Sequence, residues 1–148
     1  MPAAPRSFAL FTMLALSACA THTATPDQFQ IAASSVDWSK AQNVTVKLTD
    51  FAFTPSHLNL QSSQPVRLIL INSGTDIHDF SSPGFFAAAA YRQGSTMPKG
   101  GRIAVAKDQS AEIDLVPGGP GQYPLECTEF LHTLFGMTGA ITVSADAH

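Results

Sequence analysis

The chain is short of charge: Lys and Arg together number 8, Asp and Glu 11, and the net charge is −3. No stretch gathers basic residues into the stripe that neutralises phosphates, which excludes a nucleic-acid partner. Internal repeats and low-complexity tracts are missing too, which rules out solenoids and propellers. Cysteine is scarce, with Cys19 and Cys127 the whole supply, and histidine is limited to 5 residues. That is too few, placed too loosely, for an enzyme that gathers several metal ions. What remains is ordinary. A chain of 148 residues, 45% of them hydrophobic, can bury one core without disulfide staples.

A membrane-spanning run is also lacking. Phe8–Leu16 is apolar but far short of the ~20 residues a transmembrane helix needs. Behind Arg6 it suits the hydrophobic region of a secretory signal. It ends in Leu16-Ser17-Ala18-Cys19, which resembles the lipobox of bacterial lipoproteins. The resemblance implies cleavage before Cys19 and lipidation of its thiol. Ala20, where Asp would retain a lipoprotein in the inner membrane, implies the outer membrane. The expected organisation is a signal peptide over 1–18, a polar tether over 19–40 and a folded domain over 41–148. The protein is then exported and anchored on the periplasmic side by an N-terminal lipid. Cys127 becomes a lone thiol in an oxidising compartment, which a metal ligand would explain.

From Val44 the texture is that of strands. Val44–Leu48 alternates apolar and polar residues, Phe51 and Phe53 continue the alternation, and Pro55 breaks it. Leu58 and Leu60 mark a short strand. Val66–Asn72 is almost wholly apolar and reads as a central strand, closed by the turn residues Asn72-Ser73-Gly74. Strands are also expected over 103–105, 111–115, 123–127 and 140–143, separated by Gly/Pro turns such as Pro117–Gly121. One helix is expected, over Phe85–Gln93, from its alanine run and Gly94 as a stop. Short strands at near-regular spacing predict an all-β fold, a Greek-key β-sandwich with one short helical insertion.

The segment Cys127-Thr128-Glu129-Phe130-Leu131-His132-Thr133-Leu134-Phe135-Gly136-Met137 carries the chemistry. Its spacing, C-x4-H-x4-M, puts a thiolate, an imidazole and a thioether in one inter-strand loop. These soft to intermediate donors select copper over oxygen-loving cations, and two His, one Cys and a distant Met make the blue-copper set. His78, following the Asn72–Gly74 turn, is the candidate for the second imidazole. Each residue also has a plainer role open to it: His78 in the core, His132 in a surface loop, Met137 as adaptable filler. Glu129 either approaches the metal or caps the loop, and His57 reads as a surface turn residue.

This pattern resembles the cupredoxins of the plastocyanin/azurin type. The resemblance rests on Tyr123, Cys127, His132, Met137, Gly139 and the strand Ile141–Val143, with Asn72, Gly74 and His78 upstream. It covers roughly residues 44–143. The long ligand loop is similar to that of the rusticyanin and auracyanin branch. Asp50-Phe51-x-Phe53-x-Pro55 and Phe85-Phe86 are similar to a bacterial periplasmic subgroup. The resemblance implies one type 1 copper held by His78, Cys127, His132 and Met137, and a non-enzymatic, one-electron carrier. A copper carrier or resistance protein of the same fold is the alternative. It also implies a hydrogen bond between Asp79 and Thr128 that ties the two ligand segments together. The family more often has Asn after the first His, so Asp79 is expected to lower the reduction potential if ionised. Docking of a redox partner protein is expected on an apolar patch around His132, built from Leu131, Leu134, Phe135 and Met97.

Overall fold

A computed structural model describes residues 29–145. The expected signal peptide, Cys19, His22 and His148 lie outside the described residues. Two sheets form the body. The first contains β1 (Gln30–Ile31), β2 (Gln42–Thr49), β3 (Ala52–Thr54), β5 (Val66–Asn72), β7 (Ala90–Tyr91) and β9 (Ser110–Val116), in the order β1-β7-β9-β5-β2-β3. The second contains β4 (His57–Gln61), β6 (His78–Ser81), β8 (Arg102–Val105), β10 (Gly121–Glu126) and β11 (Thr138–Ser144), in the order β4-β11-β10-β6-β8. From β3 to β10 every connection passes from one sheet to the other. This winding gives the Greek-key sandwich that the strand pattern predicts.

The period-2 pattern places the core. In β2, Val46 and Leu48 point inward and are fully buried, while Thr45 and Lys47 face out. In β4, Leu58 and Leu60 do the same from the opposite sheet. The two layers meet on Phe80, whose ring packs edge-on against Phe53 and Phe86 at centroid distances of 5.9 Å each. Each such fully buried side chain contributes about 1.5–3 kcal/mol relative to exposure.

One expectation is met and three change. β5 is central as expected, between β9 and β2, with one of its faces buried. Val66, Leu68 and Leu70 point inward, whereas Ile71 is exposed. A continuous apolar run therefore marks position in the sheet here, not burial on both sides. The helix α1 is Pro83–Ala88, not 85–93. Phe85 and Phe86 lock it into the core, and Tyr91 donates its hydroxyl to the Phe86 carbonyl at 2.8 Å. Ala90–Tyr91 then pair with Val116 and Leu115 of β9, so sheet pairing overrides the helix propensity of the alanine run. Residues 29–40, assigned above to the tether, carry β1, which pairs with β7, and a 3-10 turn at Trp38–Lys40. Finally, His78 lies in no loop: it opens β6, a strand too short and too polar to be read from pattern.

Candidate metal centre

The site is built where β6 meets the loop joining β10 and β11. β6 is held by β8 in antiparallel register, His78 opposite Val105 and Asp79 opposite Ala104. The turn leading into it is pinned by Asn72. The Asn72 amide donates to the Asp76 and Val105 carbonyls at 2.9 and 2.8 Å and accepts from the Gly74 N–H at 2.9 Å. His78 is therefore delivered from rigid, fully buried backbone.

The loop is equally constrained. β10 and β11 pair up to Glu126 opposite Thr138, so Cys127 and Met137 lie at the loop's two ends. The Cys127 N–H donates to the Met137 carbonyl at 3.1 Å and closes it. The Met137 N–H donates to the His132 carbonyl at 2.9 Å, and the Thr133 hydroxyl to the Cys127 carbonyl. These bonds turn His132 back over Cys127. The sharp return uses Gly136 at φ +94, a region open to glycine without strain.

Three donor atoms converge. His78 Nδ1 lies 3.1 Å from His132 Nδ1, Cys127 Sγ lies 3.3 Å from His132 Nδ1, and Cys127 Sγ lies 4.0 Å from His78 Nδ1. A point equidistant from all three is about 2 Å from each, which is metal–nitrogen bond length for a first-row ion. The chemistry agrees with the spacing. Asp50 lies 3.3 Å from His78 Nε2, and a proton held on that nitrogen leaves Nδ1 to face the other two donors. Two imidazole nitrogens and a sulfur aimed at one point repel each other unless a cation or a shared proton lies between them. His78, Cys127 and His132 thus fit a soft or borderline metal such as copper. Burial pushes the Cys127 thiol up from its ordinary range, partly opposed by the Asp79 and Glu129 backbone N–H groups. A bound ion must displace that proton. Met137 is fully buried at the far end of the loop.

Asp79 is fully buried. Its carboxylate accepts from the Thr128 N–H at 2.6 Å, the Thr128 hydroxyl at 2.5 Å and Arg102 Nη1 at 2.9 Å. Its own N–H points at Cys127 Sγ, 3.5 Å away. The Asp79–Thr128 tie expected from the sequence is therefore formed, with an arginine added to it. Glu129 faces Arg102 at 3.8 Å and belongs to no metal-holding group. His57 is the exposed first residue of β4, with its ring Nδ1 3.1 Å from the neighbouring Ser56 hydroxyl.

Sequence reasoning missed several neighbours. Asp50 is held for its task by the Thr75 N–H and hydroxyl at 2.8 and 2.9 Å. Those bonds, with the Thr75 backbone first, draw its carboxyl below the ordinary range. Gly74 leaves the room for this pair: a Cβ there would lie 2.3 Å from His78 Nε2 and 2.6 Å from Asp50 Oδ1. Phe51 packs edge-on against the His132 ring, centroid to centroid 5.3 Å. The Asp50-Phe51-x-Phe53-x-Pro55 motif contained two of these residues, but nothing in its spacing announced their contacts. Arg102 has no local signal at all.

Around His132 the surface is apolar. Phe130 is 86% exposed, Leu134 78% and Phe135 59%, with Leu131 also exposed and the Phe51 ring packed 5.2 Å from that of Phe135. Leu131, Leu134 and Phe135 were expected there. Met97 was assigned to this patch as well, but it packs against the hydrophobic core.

Residues 7–143 match the family model described as a cupredoxin-like domain. The chain belongs to that family. Solved cupredoxin-fold structures similar to it include auracyanin B (23% identity, TM-score 0.54, covering 74% of this chain and 93% of that one). Another is sodium-dithionite-reduced auracyanin from the photosynthetic bacterium Roseiflexus castenholzii (16% identity, TM-score 0.54, covering 70% and 98%). A multicopper oxidase also matches (17% identity, TM-score 0.53, covering 70% of this chain but 44% of that one). At these identities the likeness establishes the cupredoxin fold. No curated protein matches the chain.

Proposed function

We propose that this cupredoxin binds one copper ion as a type 1 centre and carries single electrons. The observation that supports this reading is the convergence of one thiol and two imidazole Nδ1 atoms at the junction of β6 and the Cys127–Met137 loop. Cys127, His78 and His132 would be the principal ligands, with Met137 a fourth, weaker donor. Copper, when bound, supplies the one-electron couple. The chain supplies the rest. β6 and the hydrogen-bonded loop hold the donors in fixed positions, so little needs to rearrange between oxidation states. Burial of His78 and Cys127 keeps bulk water from the thiolate. The His132 ring, half-buried among Phe51, Leu131 and Phe135, would be the way out to a redox partner protein. An apolar, weakly charged rim suits brief docking.

In this reading the protein is not an enzyme. The segment before residue 29 would export it and hold it to the outer membrane through lipid on Cys19. Arg6, the Phe8–Leu16 run and Leu16-Ser17-Ala18-Cys19 support that placement. An electron carrier keeps its metal through the cycle, whereas a copper carrier releases it. The copper-loaded protein should bleach with ascorbate, recover its colour with ferricyanide, and retain its copper against excess chelator in both states. Loss of the ion on reduction would overturn electron transfer in favour of copper delivery.

A further inference from the structure

We propose that Arg102 is the counter-charge of Asp79, and that the two form a neutral unit which ties the copper-binding segments together without biasing the copper towards Cu(II). The inference rests on the copper reading above.

Asp79 sits between two of the proposed ligands, next to His78 in the chain and with its N–H on the Cys127 sulfur. A full negative charge there would favour the more positive oxidation state and so lower the potential. It would also be costly to bury alone. Arg102 answers both problems. It stands on β8, opposite Ser81 of β6, and its Nη1 reaches Asp79 Oδ2 and Thr128 Oγ1, each at 2.9 Å. It therefore touches the carboxylate and the loop it ties. The guanidinium is about half exposed and the carboxylate is not exposed at all. Glu129 is farther off, 3.8 Å from the same nitrogen, and partly in water, so solvent screens its charge more. The Asp79 contact comes first among the causes that hold Arg102 firmly protonated, and burial alone opposes it. The chain thus reaches near-neutrality at this position with a pair.

Arg102→Gln, Asp79→Asn and the double variant test this, each loaded with Cu(II) and read by reduction potential. The expected shifts are downward for Arg102→Gln and upward for Asp79→Asn, with the double variant returning close to the parent. Arg102→Lys, which keeps the charge, should stay near the parent. An Arg102→Gln potential equal to the parent's, or a double variant as low as Arg102→Gln alone, overturns the proposal. Thermal melting of the copper-free parent, Arg102→Gln, Asp79→Asn and the double variant gives a second readout. Arg102→Gln should lower the melting temperature when Asp79 is present and not when it is Asn. An equal drop in both backgrounds would overturn the pairing. A parent protein with no blue band would defeat the copper reading, while the copper-free melts would still decide the pair.

Discussion

Two sides of the site are built on different principles. On the β6 side, His78 and Asp79 are fully buried, and the polar atoms that face away from the donor cluster are held: Asp50 on the ring Nε2, and Thr128 and Arg102 on the carboxylate. On the loop side, His132 is flanked by Phe130, Leu134 and Phe135, which are largely in solvent and make few polar contacts. The β6 side fixes geometry and local charge, and so should govern affinity and potential. The loop side presents a half-buried ring and an apolar rim, and so should govern access and docking. A burial gradient across the three donors would separate tuning from traffic.

That division can be broken first at Gly74. A methyl group there overlaps both His78 Nε2 and Asp50 Oδ1, so Gly74→Ala should displace the ring and abolish the blue band. The strand pairing should survive, as far-ultraviolet circular dichroism would show. Next comes Asp50→Asn. It removes the carboxylate behind His78, and such outer partners typically contribute about 10–100-fold in metal affinity. Competition with a chelator should show a loss in that range, with the potential moving upward as a negative charge leaves.

The contrast is sharpened by an ion cluster away from the site. Asp114 accepts from Arg67 at 2.9 Å and from Arg92 at 3.0 Å, and the Arg67 hydrogen bond, first among its causes, holds its carboxyl below the usual range. A carboxylate with a depressed folded pKa stabilises the fold above its unfolded value of about 3.9 and loses that contribution as pH falls through the folded value. Asp114→Asn should therefore cost about 1–3 kcal/mol at neutral pH. In denaturant titrations the variant should lose less stability than the parent as pH falls below about 4, with the copper spectrum unchanged. The smallest effect on the centre itself is expected from Leu134→Ser with Phe130→Ser. Spectrum, potential and melting temperature should stay within error, while electron exchange between copies or with a redox partner slows.

Of the three convergent donors, Cys127 and His132 are legible in the sequence because they are close in the chain and chemically distinctive, and His78 is legible from the turn that precedes it. The strands around 44–48, 66–72 and 111–115 were legible from alternation and apolar runs. β6 was not, since His78-Asp79-Phe80-Ser81 has no strand pattern and is ordered by its neighbours β8 and β10. The helix was overdrawn because an alanine run has no way to announce that Ala90 and Tyr91 will meet β9. Asp50, Arg102 and Phe51 act across the sandwich, at separations of 28, 23 and 81 residues from the groups they touch. Contacts at that range leave no local trace in a single sequence.

The most direct test of the account is a paired visible and EPR spectrum of the Cu(II)-loaded protein and its Cys127→Ser variant. The account predicts an intense blue thiolate charge-transfer band with narrow copper hyperfine splitting in the parent, both lost in the variant. A pale parent spectrum that Cys127→Ser leaves unchanged would contradict it, because copper would then be bound without the thiolate at which both histidines are aimed.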